Sequence, residues 1–303
     1  MRYRIRHLTR FDYASPVQFA RCNLRLQPIA WSGQVLENYR LTVEPGGRTS
    51  PSRAEAGLAN VVRLVVDRPV RHLSIESVSH VSVDRLVPVP GAGDLSIAQV
   101  AAAARTSGDL GPAGPAAYLF PTPLISLDPD IAAWCGEELD PDRPVLEAAI
   151  ALALRIQRTF AFDTTATLVD TLPADAFRKK GGVCQDFAQV MIAGLRAAGV
   201  PAAYASGYIR TLPPPGQPRL VGADATHAWV LVWCGPDHGW EGVDPTNGIW
   251  MAADHVVMAV GRDYAEIAPI DGVMLGSGAS RMDVSVDVAP LDEGDAGGAA
   301  EEK

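Results

Sequence analysis

The sequence predicts an α+β protein in which a helix packs on an antiparallel sheet behind a β-rich leading region, and three observations carry that prediction. Residues 1 to about 90 alternate at the two-residue period of strands, residues from Pro144 to Ala198 recur at helical spacing, and residues from Ala202 to Asp244 return to short apolar strands. A chain of 303 residues, 48% hydrophobic and 20% charged, has material for a real core and for about two domains.

Met1, Tyr3 and Ile5 alternate with Arg2, Arg4 and Arg6, giving one apolar and one charged face. Val35, Tyr39, Leu41 and Val43 oppose Leu36, Asn38, Arg40 and Thr42. Val61 to Val66 and Leu73 to Val83 are further strands, punctuated by Gly46-Gly47 and Pro51. This leading region, 1–90, reads as a sandwich-like β domain. Over 91–115 the composition shifts to Gly, Ala, Pro and Ser around Ala98 to Arg105, a linker holding at most a weak helix.

The core, 116–275, begins helical. Leu146, Ala149, Ile150, Ala153, Ile156 and Phe160 form one stripe, and a short helix from Pro173 to Lys180 is stopped by Gly181-Gly182. Cys184, Phe187, Ala188, Met191, Leu195 and Ala198 share a face of the next helix, which ends at Gly199 and Pro201 and carries Cys184 in its first turn. Strands follow at Ala202 to Arg210, Thr226 to Cys234 and Trp240 to Asp244, separated by a proline-rich loop from Leu212 to Pro218 and by Gly235 to Gly239. The acidic stretch 276–303, with Asp283, Asp287, Asp292, Glu293, Asp295, Glu301 and Glu302, reads as a disordered tail.

A net charge of −9 supplies no basic stripe for nucleic acid. The longest apolar run, Ala148 to Leu154, is too short for a bilayer span, and the basic start Met1 to His7 lacks the apolar run of an export signal. Cys22, Cys135, Cys184 and Cys234 are dispersed without a CxxC pair, which fits free thiols in a reducing, cytoplasmic setting. No membrane or nucleic-acid partner is expected.

Phosphate-loop, dinucleotide-binding, HExxH and GxSxG motifs are absent from the sequence. What remains is a cysteine, a histidine and an aspartate. Unpaired N–H groups at a helix start favour a thiolate, so Cys184 is a candidate nucleophile; a small buried hydrophobe is the alternative. His227 opens an apolar strand, where a histidine serves either as a hydrogen-bonded structural residue or as a base. Asp244 ends the neighbouring strand before Pro245-Thr-Asn-Gly248. It can initiate a turn, or it can fix the His227 tautomer. Symmetric pairing about Gly235 to Gly239 would set Asp244 opposite Val230, on the wrong face, so the reading requires an odd shift or a bulge. Asp186 and Asp224 are alternative orienters, Asp186 being better explained by the helix dipole. Cys135 and Cys234 read as core, and His7, His72, His80, His238 and His255 have no evident partner. Cys184 and its distant Cys and His neighbours match no compact zinc motif, so no metal is expected.

The blocks Gly182-Val-Cys-Gln-Asp-Phe-Ala188, Ser206-Gly-Tyr208, Asp224-Ala-Thr-His-Ala-Trp229, Gly239-Trp240 and Asp244-Pro-Thr-Asn-Gly248 resemble, in order, the bacterial transglutaminase-like superfamily, members of which are described as cysteine proteases. The leading region is similar to the β-rich domain that precedes this core in many bacterial members, through Thr9-Arg-Phe-Asp-Tyr13, Leu24-Arg-Leu26, Asn60 and the strand from Leu73. The resemblance implies a papain-like core with Cys184 as nucleophile, His227 as general base and acid, and Asp244 as orienting carboxylate. It also implies Gln185, Tyr208 and Trp229 at the substrate cleft. Gln189 stands where many relatives have histidine, and Ala59-Asn60 where they have Gly-Asn.

The implied reaction is acyl transfer through a thioester on a peptide or protein amide, without cofactor, with the Cys184 backbone N–H as one oxyanion donor. Thr164 to Thr167 or Gln185 are candidates for the second donor, although Gln185 is turned about 100° from Cys184. Water as acceptor gives a cysteine protease or amidase. An amine acceptor gives a transglutaminase or amide ligase, and a catalytically silent binding module is the reading from another class.

Overall fold

The computed structural model describes residues 1–53, 57–91, 93–211 and 226–291. The loop from Leu212 to Pro218, Asp224 and the acidic residues from Asp292 onward lie outside the described residues. Six strands open the chain: β1 (Arg2–Val17), β2 (Phe19–Gln27), β3 (Gln34–Glu44), β4 (Arg48–Ser52), β5 (Leu58–Val66) and β6 (Val70–Val83). Next come α1 (Ile97–Thr106), α2 (Pro129–Gly136) and α3 (Val145–Thr159), then the short strands β7 (Ala161–Phe162) and β8 (Gly181–Gly182) flanking α4 (Pro173–Lys179). Helix α5 (Cys184–Ala197) leads into β9 (Ala202–Ile209), β10 (Thr226–Trp233), β11 (Trp240–Asp244), β12 (Ile249–Trp250) and β13 (His255–Gly261). The described chain closes with α6 (Tyr264–Ile267), β14 (Ile270–Leu275) and β15 (Ser280–Pro290).

The fold is α+β. Helix α5 is buried almost all round, its polar Asp186, Gln189 and Arg196 included, and packs against α2, α4, β9 and β10. Its Phe187, Met191 and Leu195 join Ala202, Tyr204, Ala228, Val230 and Val232 in the main core, to which α3 adds Leu146, Ala149, Leu152, Ala153 and Ile156. The opposite face of the sheet carries Ala205, Trp229, Leu231, Met251 and Val257, covered in part by Ile29 and Trp31 from the leading region.

The leading strands do not close into a sandwich of their own. One sheet runs β12-β11-β10-β9-β13-β5-β2-β14, so β5 and β2 continue the core sheet through the β13–β5 pairs Ala259↔Ala59 and Val260↔Leu58. A four-stranded sheet, β15-β1-β6-β3, lies over it. Phe11, Leu73 and Ile75 meet Leu24, Leu64 and Val66 between the layers, while Tyr3, Ile5 and Val81 meet Tyr208, Val256 and Met258. The sandwich exists, but the core sheet is one of its layers.

Three further readings are corrected. The stretch 276–303 is not a tail throughout: Ser280–Pro290 is a strand paired with β1 from Tyr3↔Pro290 to Tyr13↔Ser280, and Val286 and Val288 are buried. Its acidic residues masked the alternation of Val284, Val286 and Val288 with polar neighbours. Within 91–115, α1 is core rather than linker, with Ile97, Val100 and Ala104 buried and a Ser96–Gln99 capping box at its start. Val35 is exposed because the β3–β6 register shifts between Leu36 and Asn38, exchanging the faces along β3.

Ending the chain at Gly276 would remove β15 and leave the outer backbone groups of β1 unpaired. We expect the thermal unfolding midpoint to fall by roughly 5 °C or more. An unchanged midpoint in a thermal scan would contradict the place given to this strand.

Candidate active site

Cys184 is the first residue of α5, where a backbone N–H has no acceptor within the helix. Asp186 fixes this helix start. Its Oδ2 accepts from the Val183 N–H at 2.8 Å and from the Thr167 hydroxyl at 2.6 Å. The carboxylate fits because Gly182 has no side chain: at φ +153° a Cβ there would lie 2.4 Å from Asp186 Oδ2. The preceding helix stops one residue before the glycines, at Lys180, which adopts the left-handed conformation with φ 48° and sets its Nζ 3.1 Å from the Phe177 ring centroid. Gly181-Gly182 then pairs in parallel with Ala161–Phe162 and delivers the chain to Cys184. Of the four cysteines, Cys184 alone is partly exposed. Burial pushes the Cys22 thiol up to about 11 and the Cys135 thiol up to about 12, leaving both inert near neutral pH.

His227 and Asp244 meet because the hairpin register is odd. Trp233 pairs with Trp240 and Val230 with Val243, so the connection is one residue longer than a loop of Gly235 to Gly239. Continuing that register sets Asp244 opposite Trp229, on the same face as His227. The His227 Nε2 lies 2.7 Å from Asp244 Oδ2. The Cys184 thiol lies near enough to the same imidazole to help raise its pKa. With Nε2 committed to Asp244, Nδ1 is the nitrogen left for sulfur. Burial alone would lower the pKa of His227. The Asp244 and Cys184 hydrogen bonds and charges outweigh it, and the imidazole is raised well above its ordinary 6.5. Burial would conversely raise Asp244, but its hydrogen bonds to His227, His255 and Asn247 hold it far below the ordinary carboxylate range.

Asp244 is fully buried, and the two readings of this aspartate are both true. Its Oδ1 accepts from the Thr246 and Asn247 N–H groups at 2.9 and 3.2 Å, the turn-forming use. Its Oδ2 takes His227, the Asn247 Nδ2 at 2.6 Å, and the His255 Nε2 at 3.3 Å. His255 was without an evident partner in the sequence, yet it belongs to this cluster. No local spacing signals it, because it arrives from β13, beyond β10 and β9 in the sheet order.

The donor atoms of His227, Asp244 and His255 lie within 4.8 Å of one another, which raises the question of a cation. The Ala252 N–H donates to His255 Nδ1 at 3.3 Å, so Nε2 carries the ring proton and presents a donor, not a lone pair, to Asp244. That tautomer suits a hydrogen-bonded trio and does not suit a metal ligand.

Two expected cleft residues lie elsewhere. Tyr208 is buried, with its hydroxyl 2.8 Å from His7 Nδ1 between the two sheets. Trp229 is fully buried beneath His227, its ring stacked on the imidazole at 6.1 Å and its Nε1 donating to Met251 Sδ at 3.1 Å. Both point away from solvent because their strands sit inside the sheet, and apolar layers cover both faces. Gln185 is near the surface and donates from Nε2 to the Val169 carbonyl at 2.7 Å, holding the 163–169 segment beside the thiol. The Thr165 and Thr167 hydroxyls donate to Asp163 and Asp186, so neither is a free oxyanion donor. Asp186 does not orient His227, since its bonded oxygen caps α5. Gln189 is buried in α5, and neither amide atom has a partner among the described residues. Phe162, Leu168 and Val169 are exposed, and the Val169 carbonyl is the acceptor that Gln185 uses.

A thiol at a helix start, an imidazole linked to it, and a buried carboxylate behind that imidazole define an activated-nucleophile site on a helix-and-sheet core. The chain belongs to the transglutaminase-like superfamily: residues 134–245 match that superfamily's model, and residues 3–82 match the bacterial transglutaminase-like N-terminal region. An uncharacterized protein of Mycobacterium tuberculosis (strain H37Rv) is 37% identical over 97% of this chain and 94% of its own length. A protein-glutamine gamma-glutamyltransferase of Pseudomonas aeruginosa is 42% identical over 82 residues, which is 27% of this chain and 12% of that protein. Among solved structures, the "putative cysteine protease" of Cytophaga hutchinsonii shares the fold with a TM-score of 0.71 at 21% identity, covering 96% of this chain and 92% of that one.

The His227–Asp244 pair has a pH signature. Asp244 is lowered and His227 raised, so the pair's contribution to stability is complete between the ordinary carboxylate range and pH 6.5, and fades as pH rises through the folded value of His227. In Asp244→Asn the imidazole should titrate well below its wild-type value in a histidine NMR titration, and the stability difference from wild type should narrow at alkaline pH. An unmoved titration would contradict the assigned pair. Separately, Gly182→Ala should cost about 2 kcal/mol in urea unfolding and slow alkylation of Cys184, because Asp186 must yield to the new methyl group.

Proposed function

We propose that the chain is a thiol-dependent acyl-transfer enzyme that cleaves amide bonds, with water as the usual acceptor. The observation that carries this reading is the 2.7 Å bond from the buried Asp244 carboxylate to His227, with Cys184, the one partly exposed thiol, near that imidazole at the start of α5. In the proposed cycle the Cys184 thiolate attacks the amide carbon, forming the C–S bond. The C–N bond then breaks as His227 Nδ1 gives its proton to the leaving amine. Water next loses a proton to His227 and attacks the thioester, releasing the carboxylic acid and restoring the thiol. In this cycle the Cys184 N–H, at the start of α5, stabilises the oxyanion. A free thiol nucleophile is consistent with a reducing, cytoplasmic compartment.

Amine transfer is the second reading, favoured by the local identity to the Pseudomonas aeruginosa gamma-glutamyltransferase. Glutamine-containing peptides incubated with and without a primary amine separate the two. Hydrolysis is expected to predominate, and amine incorporation outpacing it would overturn the choice of acceptor. Cys184→Ala should abolish both reactions, and His227→Ala should slow them by about 10³-fold. If Cys184 alkylates with iodoacetamide no faster than in the unfolded chain, the protein is a binding module and the proposal fails.

A further inference from the structure

We infer that His255 is a positioning residue for the site: it holds the Asp244 carboxylate in place behind His227, and the leading β-rich region holds His255. The inference rests on the thiol chemistry proposed above and adds a fourth side chain to it.

His255 is wholly buried and its imidazole is constrained on both nitrogens. Nδ1 accepts from the Ala252 N–H at 3.3 Å, and Nε2 lies 3.3 Å from Asp244 Oδ2, the same oxygen that His227 uses. Its ring meets Trp229 edge-on at 5.2 Å, and Trp229 stacks on His227. Gly207 of β9 makes that packing possible, since a Cβ there would come within 2.6 Å of the Trp229 ring. Among the described residues, the titratable groups grouped on His227 are therefore Cys184 from α5, Asp244 from β11 and His255 from β13.

The backbone that carries His255 is clamped from the leading region. Arg85, which follows β6, donates Nη1 to the carbonyls of Ala252 and His255, both at 3.0 Å. Gln34 of β3 pairs with both backbone polar groups of Val257, donating to its carbonyl and accepting from its N–H, each at 2.8 Å. The β-rich region thus supplies rigidity to the site without placing a side chain against substrate.

The electrostatic consequence follows from two donors sharing one oxygen. A neutral N–H from His255 draws charge from Oδ2, so its removal leaves a more basic carboxylate and a more basic His227, while the loss of its constraint loosens the imidazole.

The test uses iodoacetate, whose anionic reaction with Cys184 reports the charge on His227, across a pH series on the full chain. His255→Phe is expected to lower the plateau rate about five-fold, the size of one hydrogen bond, and to move the His227 limb to higher pH. His255→Gln, which keeps a donor, is expected to recover most of both. A His255→Phe profile that overlays a fast wild-type profile would overturn the inference while leaving the thiol reading intact. A wild-type thiol no more reactive than in the unfolded chain would sink both. A second readout needs no variant: ¹⁵N shifts of labelled wild-type protein should show His255 neutral with its proton on Nε2. A proton on Nδ1 instead would overturn the inference even if His255→Phe failed to fold.

Discussion

The site is organised around the buried carboxylate of Asp244. A charge removed from water is costly unless every lone pair is engaged, and here five donors converge on two oxygens. Three of them come from the turn that Asp244 itself initiates, so most of the compensation is local and forms with the hairpin. The other two are imidazoles delivered by separate strands. Their orientation is therefore set by the same requirement that keeps the carboxylate charged, and the alignment of His227 toward Cys184 follows from solvation of the aspartate.

That requirement explains the sheet. Asp244, His227 and His255 come from β11, β10 and β13, and the sheet order β11-β10-β9-β13 keeps them at one end. Because β5 and β2 extend the same sheet, the leading region is continuous with the strands bearing the site. The Arg85 and Gln34 contacts then tie β13 to that region at the backbone level, where side-chain rearrangement cannot easily relax them.

Much of this was legible in the sequence, for identifiable reasons. Helix α5 announced itself by period and by its Gly199 stop, and β10 by the apolar run that follows His227, since both signals are local. The pairing of Asp244 with His227 was expected and is present, but it hung on a single residue of hairpin register, which composition does not reveal. The readings that failed were also non-local. The strand Ser280–Pro290 was hidden by its acidic residues, although its valines alternate. His255 carries no motif, because its role is set by the side-chain-free position at Gly207 and by a turn clamped from 170 residues away. Tyr208 and Trp229 sit in the blocks that resemble the family, yet Trp229 supports His227 from beneath and Tyr208 packs between the two sheets on His7, so membership in a block did not distinguish a cleft wall from buried packing.

The account stands on acylation of one sulfur. Brief incubation of the wild-type chain with an activated acyl donor, such as a p-nitrophenyl ester, followed by acid quench and mass spectrometry of the digest, measures this directly. The account predicts an acyl mass on the peptide containing Cys184, removed by hydroxylamine as a thioester should be, with Cys22, Cys135 and Cys234 unmodified. An adduct spread among the other thiols, or absent from Cys184 while the chain remains folded, would contradict it.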